Sequence, residues 1–507
     1  MKHLFFISTI RSSIGLGLSL LMILLLIDPS AGGRKGRYTA TDLQVFNPSF
    51  SARTANVQWV DQNGAFQANL PIDIGPRASQ YFTPELSGLV PSTFIGGIEV
   101  ISETGTLFAT VTHFDKGPGA PDFERGNEHY EVRANDSAAI QLNAPVLIVS
   151  GTTRSNISIL SSIDARPVTV TLQFHRDSGV VAASLITTVV GNALIDVTSI
   201  LSGALPFSGT ARLFSNQSIG GYVSIYDGET QKGYSLVPKP LPVLDTRSNL
   251  YTQYTQLPDT FTRSIFPNVQ PTDDEFITRT LYVQNIDLFQ AGVVIRTRFG
   301  PLFTGTIPAL GQIAFTLPYS KAINELFLDS DQRLTGALLV DDANAADRDQ
   351  ITGAAAYPAL SPDIDRAYRN SNATNVPNAP NAANHCAVAP TVFGGYQGWQ
   401  TSLRLVNNGN ISGTAVITYF PAIGASNTVT LIVVSRVLTP GISVIPDYEP
   451  IANSNAAWSA YVEADVPFFG DVTSVKSGIA DGIMAYRMEP TTCVITPLQI
   501  FIPLALR

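Results

Sequence analysis

The sequence predicts an all-β chain of tandem β-sandwich modules behind an N-terminal signal peptide. Three observations predict it. Short alternating apolar and polar stretches run the length of the chain, while helical periodicity is scarce. Turn-forming Asn, Asp, Ser, Gly and Pro separate these stretches. Four stretches of one kind open at Leu43, Ile157, Leu281 and Leu403, a spacing of about 115–125 residues that suits a several-stranded sandwich and is too long for a solenoid or propeller blade.

The N-terminal segment comes first. Lys2 and Arg11 precede an apolar run from Ile14 to Ile27, and Asp28-Pro29-Ser30-Ala31-Gly32-Gly33 follows. The run is shorter than the about 20 apolar residues that span a bilayer. A charged start, a short apolar stretch and small residues after a breaker read as a signal peptide over 1–31, cleaved near Ala31 or Gly32. An uncleaved anchor is the alternative, and only then is the membrane a partner. The location expected is secreted or on the extracellular cell surface.

Apolar residues make up 45% of the chain and charged residues 14%, so a core can be buried. The formal net charge is −9. Loss of residues 1–31 removes Lys2, Arg11 and Asp28, one net positive charge, and leaves −10. An acidic surface disfavours nucleic acid and anionic lipid as partners.

Each module opens with a strand ending at a small polar residue: Leu43–Asn47, Ile157–Ser161, Leu281–Asn285 and Leu403–Asn407. A second alternating strand follows within about ten residues, at Val57–Val60, Val168–Phe174, Val293–Phe299 and Ala415–Phe420. Turns come next, then two closing strands, clearest at Gly97–Ile101 and Leu107–Phe114 and at Ala211–Phe214 and Ile219–Tyr226. The modules are expected over 36–116, 135–239, 263–360 and 385–507. Asp115–Ala134, Pro238–Arg263 and Ser361–Asn384 are read as linkers, the last, 361–384, flexible. The clearest helix candidate is short, around Lys321–Phe327.

Asn47, Asn285 and Asn407 close the opening strands of three modules, and Ser161 that of the other. Such side chains bond to backbone a few residues onward, and Asn also tolerates positive φ, so the position reads as a turn-former.

The fourth module reads Ala389-Pro390-Thr391-Val392-Phe393-Gly394-Gly395-Tyr396-Gln397-Gly398-Trp399-Gln400-Thr401-Ser402 and continues into Leu403–Asn408. It resembles bacterial secreted tandem-repeat proteins, whose modules open with a proline-containing strand, a Gly-Trp-x-Thr turn and a strand ending in Asn. Ile265-Phe266-Pro267 and Thr280–Asn285 echo it without the Trp. The stretch Ile500-Phe501-Ile502-Pro503-Leu504-Ala505-Leu506-Arg507 is similar to the proline strand that closes many such chains. The resemblance covers about half of the mature chain and implies immunoglobulin-like sandwiches displayed outside the cell, with no assigned reaction.

The two cysteines, Cys386 and Cys493, bracket the fourth module, and in an exported chain they are expected to pair. His3, His113, His129, His175 and His385 stand beside no nucleophile motif, and no catalytic residue, metal site or cofactor is expected. Asp329, Asp331, Asp341, Asp342, Asp347 and Asp349, the run Asp273-Asp274-Glu275, and Asp471 could offer loop oxygens to calcium, but they read as solvated acids. Tyr396, Trp399 and Trp458 are the candidate ligand-binding aromatics; packing in a core or turn is the competing reading. The function expected is a non-catalytic structural or adhesive protein whose partner is a cell-envelope or extracellular protein or glycan. The alternative is carbohydrate or cell-wall binding through the fourth module.

Overall fold

In a computed structural model, the chain is described over residues 38–61, 65–82, 88–90, 96–102, 107–116, 125–132, 139–161, 166–227, 230–238, 262–266, 277–297, 300–318, 326–342, 354–358, 385–407, 411–423, 432–439, 443–444, 451, 454–476, 483–491 and 493. The signal-peptide segment, the 361–384 linker and residues 494–507 lie outside them.

Unit 1 contains β1 (Tyr38–Asn47), β2 (Arg53–Asp61), β3 (Phe66–Ile74), β4 (Ala78–Phe82), β5 (Gly96–Ser102), β6 (Phe108–Lys116) and β7 (Arg125–Val132). Unit 2 contains β8 (Ala139–Val149), β9 (Thr153–Ser161), β10 (Val168–Arg176), β11 (Val181–Val189), β12 (Asn192–Asp196), the one-turn helix α1 (Val197–Ile200), β13 (Phe207–Asp227), β14 (Thr230–Ser235) and β15 (Val237–Pro238). Unit 3 contains β16 (Thr262–Phe266), β17 (Ile277–Asn285), β18 (Ala291–Thr297), β19 (Gly300–Ile307), β20 (Gln312–Thr316), β21 (Leu326–Ser330), β22 (Leu334–Asp342) and β23 (Ala354–Pro358). Unit 4 contains β24 (His385–Gly394), a 3-10 turn (Tyr396–Gly398), β25 (Gln400–Asn407), β26 (Gly413–Ile423), β27 (Ile432–Leu438), β28 (Ser443–Val444), β29 (Ala456–Ala464), β30 (Phe468–Val475), β31 (Ile483–Arg487) and β32 (Glu489–Thr491).

The pairing order is shared. One sheet of each unit runs β4-β1-β6-β7, β12-β9-β13-β14, β20-β17-β22-β23 or β28-β25-β30-β31. The facing sheet runs β11-β10-β13-β8, β19-β18-β21-β16 or β27-β26-β29-β24 in units 2 to 4, and β3-β2-β5 in unit 1. In unit 2 both closing strands fuse into β13, which changes sheets at a register shift between Phe214 and Ile219.

Alternation decides which face is core. Val57 and Trp59 on β2, Leu172 and Phe174 on β10, and Ile417 and Tyr419 on β26 point between their sheets and are buried. Each such side chain taken from water contributes about 1.5–3 kcal/mol. The units do not keep their cores to themselves. Ala337 and Leu339 of β22 sit in the unit 2 core, Phe327 of β21 in that of unit 4, and Val475 of β30 against that of unit 3. Phe46 and Phe108 of unit 1 cluster with Cys386, Val388, Phe420 and Tyr461 of unit 4. There a short parallel contact, Ala422 with Ser79 and Ile423 with Gln80, joins the sheets of the two units. The four strands β7, β14, β23 and β31, one per unit, pack on one another in a closed cycle. The units therefore form a ring, unit 4 meeting unit 1.

Several expectations change. The segment read as a linker over 115–134 contains β7, paired with β6. Leu326 and Phe327, placed in a helix candidate, begin β21, while 321–325 lie outside the described residues. The α-helix among the described residues, α1, is capped by Asp196, whose carboxylate accepts from the Thr198 amide.

Candidate functional site

The repeated Asn builds a similar local structure in units 1, 3 and 4. Asn47 is fully buried; its Nδ2 donates to the carbonyls of Ser51 (2.8 Å), Gly75 (2.9 Å) and Ile74 (3.2 Å), and its Oδ1 accepts from the Ser49 amide (3.0 Å). Asn285 donates to Phe289 (2.6 Å) and Pro308 (3.0 Å) and accepts from the Asp287 amide (3.0 Å). Asn407 donates to Ile411 (2.8 Å) and Leu438 (2.9 Å). One amide thus ties a loop's far end, four residues on, to the end of β3, the β19–β20 turn or β27. Positive φ plays no part: among the described residues the non-glycine cases are Arg77, Leu310 and Asn455. In unit 2 the Ser161 hydroxyl reaches the Gly191 carbonyl at 3.3 Å.

The clamped loops push apolar side chains into solvent. Phe50, Leu288, Phe289 and Ile411 are 42, 71, 72 and 63% exposed. Each lies three or four residues beyond its Asn. The Arg77 guanidinium lies 3.8 Å from the centre of the Phe50 ring and also faces Phe420 and Tyr461 of unit 4, so it bridges that loop to the unit boundary. The corresponding unit 2 loop, 162–165, is outside the described residues.

Cys386 and Cys493 stand at disulfide distance, their Cα atoms 5.2 Å apart. Cys386 is buried on β24, and β32 pairs with that strand just before Cys493.

The aromatic candidates are placed differently. Trp399 is 1% exposed and Trp458 is 0% exposed, its Nε1 donating to the Ser454 hydroxyl at 2.8 Å. Neither presents a ring face to a ligand. Tyr396 is half-buried, stacked on Phe393 and edge-on to Tyr81 of unit 1. The Tyr81 hydroxyl in turn donates to Asp42. These aromatics seal a unit boundary.

Two acids read as solvated are buried. Asp329 accepts from Arg296 Nε at 2.7 Å, with both side chains inside and the guanidinium over the Phe327 ring. Asp471 lies directly opposite Arg404 across the β25–β30 ladder. Burial pushes its carboxyl up to about 7, and the nearby Arg404 charge pulls the other way. Asp331 accepts from the Gly292 amide at 2.8 Å. Asp347, Asp349 and the 273–275 run lie outside the described residues. His175 is buried, its Nδ1 3.1 Å from the Gly179 carbonyl, and burial lowers its pKa. Among the described residues, no three His, Cys, Asp or Glu side chains are placed to share a metal ion.

The sequence reading missed these buried charges. Their signal was a charge on the polar face of a strong alternating strand, Arg296, Arg404 and Asp471 among them, and that signal is the same for a solvated face. No protein-family model matches the sequence, and no curated protein matches it.

Proposed function

We propose that this protein is a non-catalytic structural or adhesive protein, displayed outside the cell, that binds an envelope or extracellular partner through its asparagine-clamped loops. The observation that carries this reading is the recurrence of large exposed apolar residues, Phe50, Leu288, Phe289 and Ile411, at one loop of three units. Loops held on a rigid scaffold carry recognition, and large apolar side chains recurring at the tip of such loops suit contact with a partner. Each loop is fixed by a buried amide, so little ordering entropy would be lost on binding. The buried polar groups support the reading by their use: Asn47, Asn285 and Asn407 hold backbone, and Arg296 and Asp329 hold each other. The cysteine pair suits an oxidising compartment, and the resemblance to bacterial secreted tandem-repeat proteins points to the same place. The carbohydrate alternative draws no support from the tryptophans, which are buried.

The test is a binding screen of the chain from residue 32 onward against cell-wall material, glycans and extracellular proteins. Leu288→Ser with Phe289→Ser, and separately Ile411→Ser, should weaken any binding found by tenfold or more with the melting temperature unchanged. Binding that survives both variants at full strength refutes the loop assignment.

A further inference from the structure

Polar side chains meet from both sides at the boundary between units 2 and 3. On unit 2, Leu142, Ala211 and Leu213 face the core, so Asn143, Thr210 and Arg212 fall on the outer face of the sheet. Arg212 lies opposite Asn143 on β8, and Thr210 opposite His175 on β10. On unit 3, Leu281 and Val283 face the core, and Gln284 falls on the outer face between Gln312 of β20 and Thr335 of β22. Tyr282, on that same face, packs against the unit 2 core. Gln312 fixes one end of the contact: its side chain donates to the Pro145 carbonyl and its backbone amide to the Asp177 carbonyl at 2.9 Å. Pro145 lies in β8 beside Thr210, and Asp177 follows Arg176, which pairs with Gly209. At the other end Arg212 feels the charges of Asp287 and Arg333. Gln284 and Thr335 are therefore set over Thr210 and Arg212.

Asn143, His175, Thr210, Gln284 and Thr335 are at most 2% exposed, and Arg212 is 9% exposed. Buried polar groups in folded proteins have partners. Among the described residues none meets Asn143 Oδ1, His175 Nε2, Thr210 Oγ1, Arg212 Nε, Thr335 Oγ1 or either end of the Gln284 amide. The fold itself does not call for polar groups here. Gln284 stands just before Asn285 as Phe46 stands just before Asn47. Arg212 follows Ala211 as Tyr461 follows Ala460, and these alanines lie opposite Phe174 and Tyr419. At the boundary of units 4 and 1, Phe46 and Tyr461 fill the corresponding space with rings. A guanidinium is costly to bury without a counter-charge. Asp287, the acid near Arg212, is bonded by Arg333 Nε at 2.9 and 3.0 Å.

We propose that the boundary of units 2 and 3 binds a small oxyanion that still carries a proton, with hydrogen phosphate as the type. Arg212 supplies the counter-charge, and Thr210, Thr335 and the Gln284 NH2 group donate to the remaining oxygens. Acceptors stand beside these donors. His175 Nδ1 lies 3.1 Å from the Gly179 carbonyl, which places the ring hydrogen there and leaves Nε2 to accept. Asn143 donates through Nδ2 to the Val237 carbonyl at 3.2 Å, which leaves its Oδ1 for the ligand. A fully deprotonated anion would set lone pairs against those two acceptors, whereas an O–H satisfies them. A metal cation fits poorly, because the Arg212 charge repels it. The site stands apart from the exposed loops, and the reading of those loops does not bear on it.

The experiment is equilibrium dialysis of the full chain against radiolabelled inorganic phosphate at neutral pH and fixed ionic strength. About one phosphate per chain should bind, and sulfate, which carries no proton at that pH, should compete about tenfold less well or worse. Thr335→Val keeps the volume, removes one donor and should weaken phosphate binding by about tenfold or more, the scale of one hydrogen bond to a charged group. Its melting temperature without phosphate should not fall. Arg212→Met should abolish binding and, with the buried charge gone, raise the melting temperature measured without phosphate. Phosphate should raise the melting temperature of the parent and leave that of Arg212→Met in place. If Arg212→Met does not fold, Thr335→Val still decides. The absence of binding at millimolar phosphate overturns the proposal and leaves trapped water to meet these groups. Binding that the folded variants keep at full strength also overturns it, since the phosphate is then held elsewhere. So does equal competition by sulfate, which removes the roles of His175 and Asn143.

Discussion

Replacing Asn407 by alanine removes the hydrogen bonds from Nδ2 to the carbonyls of Ile411 and Leu438. The side chain is fully buried, so water does not take over its role at once. Each bond contributes about 0.5–1.5 kcal/mol net, and the Leu438 carbonyl, stranded in a buried site, adds about 1–3 kcal/mol. Some relaxation toward solvent at the exposed Ile411 loop reduces the total, and a loss of about 2–3 kcal/mol is expected. Urea unfolding followed by tryptophan fluorescence reads it, since Trp399 and Trp458 both lie in unit 4. Asn407→Asp should cost more, because a carboxylate would face the same two carbonyls with no proton to give. Native-state hydrogen exchange should localise the loss to the 408–412 loop and the end of β27. An alanine variant within about 0.5 kcal/mol of the parent, with exchange unchanged there, would refute the clamp and leave the recurrence of Asn at this position without a physical reason.

Other outcomes follow from the same geometry. Asp471 has a folded-state pKa raised to about 7 from an ordinary 3.8. The native state therefore holds the proton between those values while the unfolded chain has released it, so stability rises as pH falls from about 7 to about 4. Asp471→Asn should flatten that dependence and stabilise the protein by about 1–3 kcal/mol at pH 8 in thermal melts; a variant with the parent's pH profile contradicts the assignment. Cys386→Ser should lower stability by up to about 4–5 kcal/mol, the chain-entropy value for a loop of 107 positions. Reductant should then shift the parent's melting temperature and leave that of the variant in place. Phe327→Ala should cost about 3–5 kcal/mol and loosen two units. Exchange should quicken in unit 4 strands as well as in β18 and β21, and quickening confined to unit 3 would show that the units are independent.

Much of this was legible along the chain. Opening and second strands were found in all four units because alternation is local: a strand's own residues announce its two faces. The Asn position was readable too, since an amide at a strand end bonds to backbone a few residues onward. The cysteine pair needed only the count of two. What failed was any property set by a neighbour in space. Phe46, Gln284 and Val406 sit on strand faces that a lone sandwich would show to water, and all three are buried. Asp471 and Asp329 took the polar phase of their strands and read as solvated for the same reason. The residues around β7 carry Glu128, Glu131 and Arg125, which resemble a linker until β6 supplies a ladder.

The sequence by itself determined the all-β class, the order of the strands and the loops that the asparagines close. Tertiary structure decided that the units share cores, that unit 4 meets unit 1, and that the tryptophans are packing residues rather than platforms. The physical reason is range. Alternation and turn chemistry act over a few residues, whereas burial of an outward face depends on a surface up to several hundred residues away, as when the Gln44 amide donates to the Trp458 carbonyl at 2.8 Å.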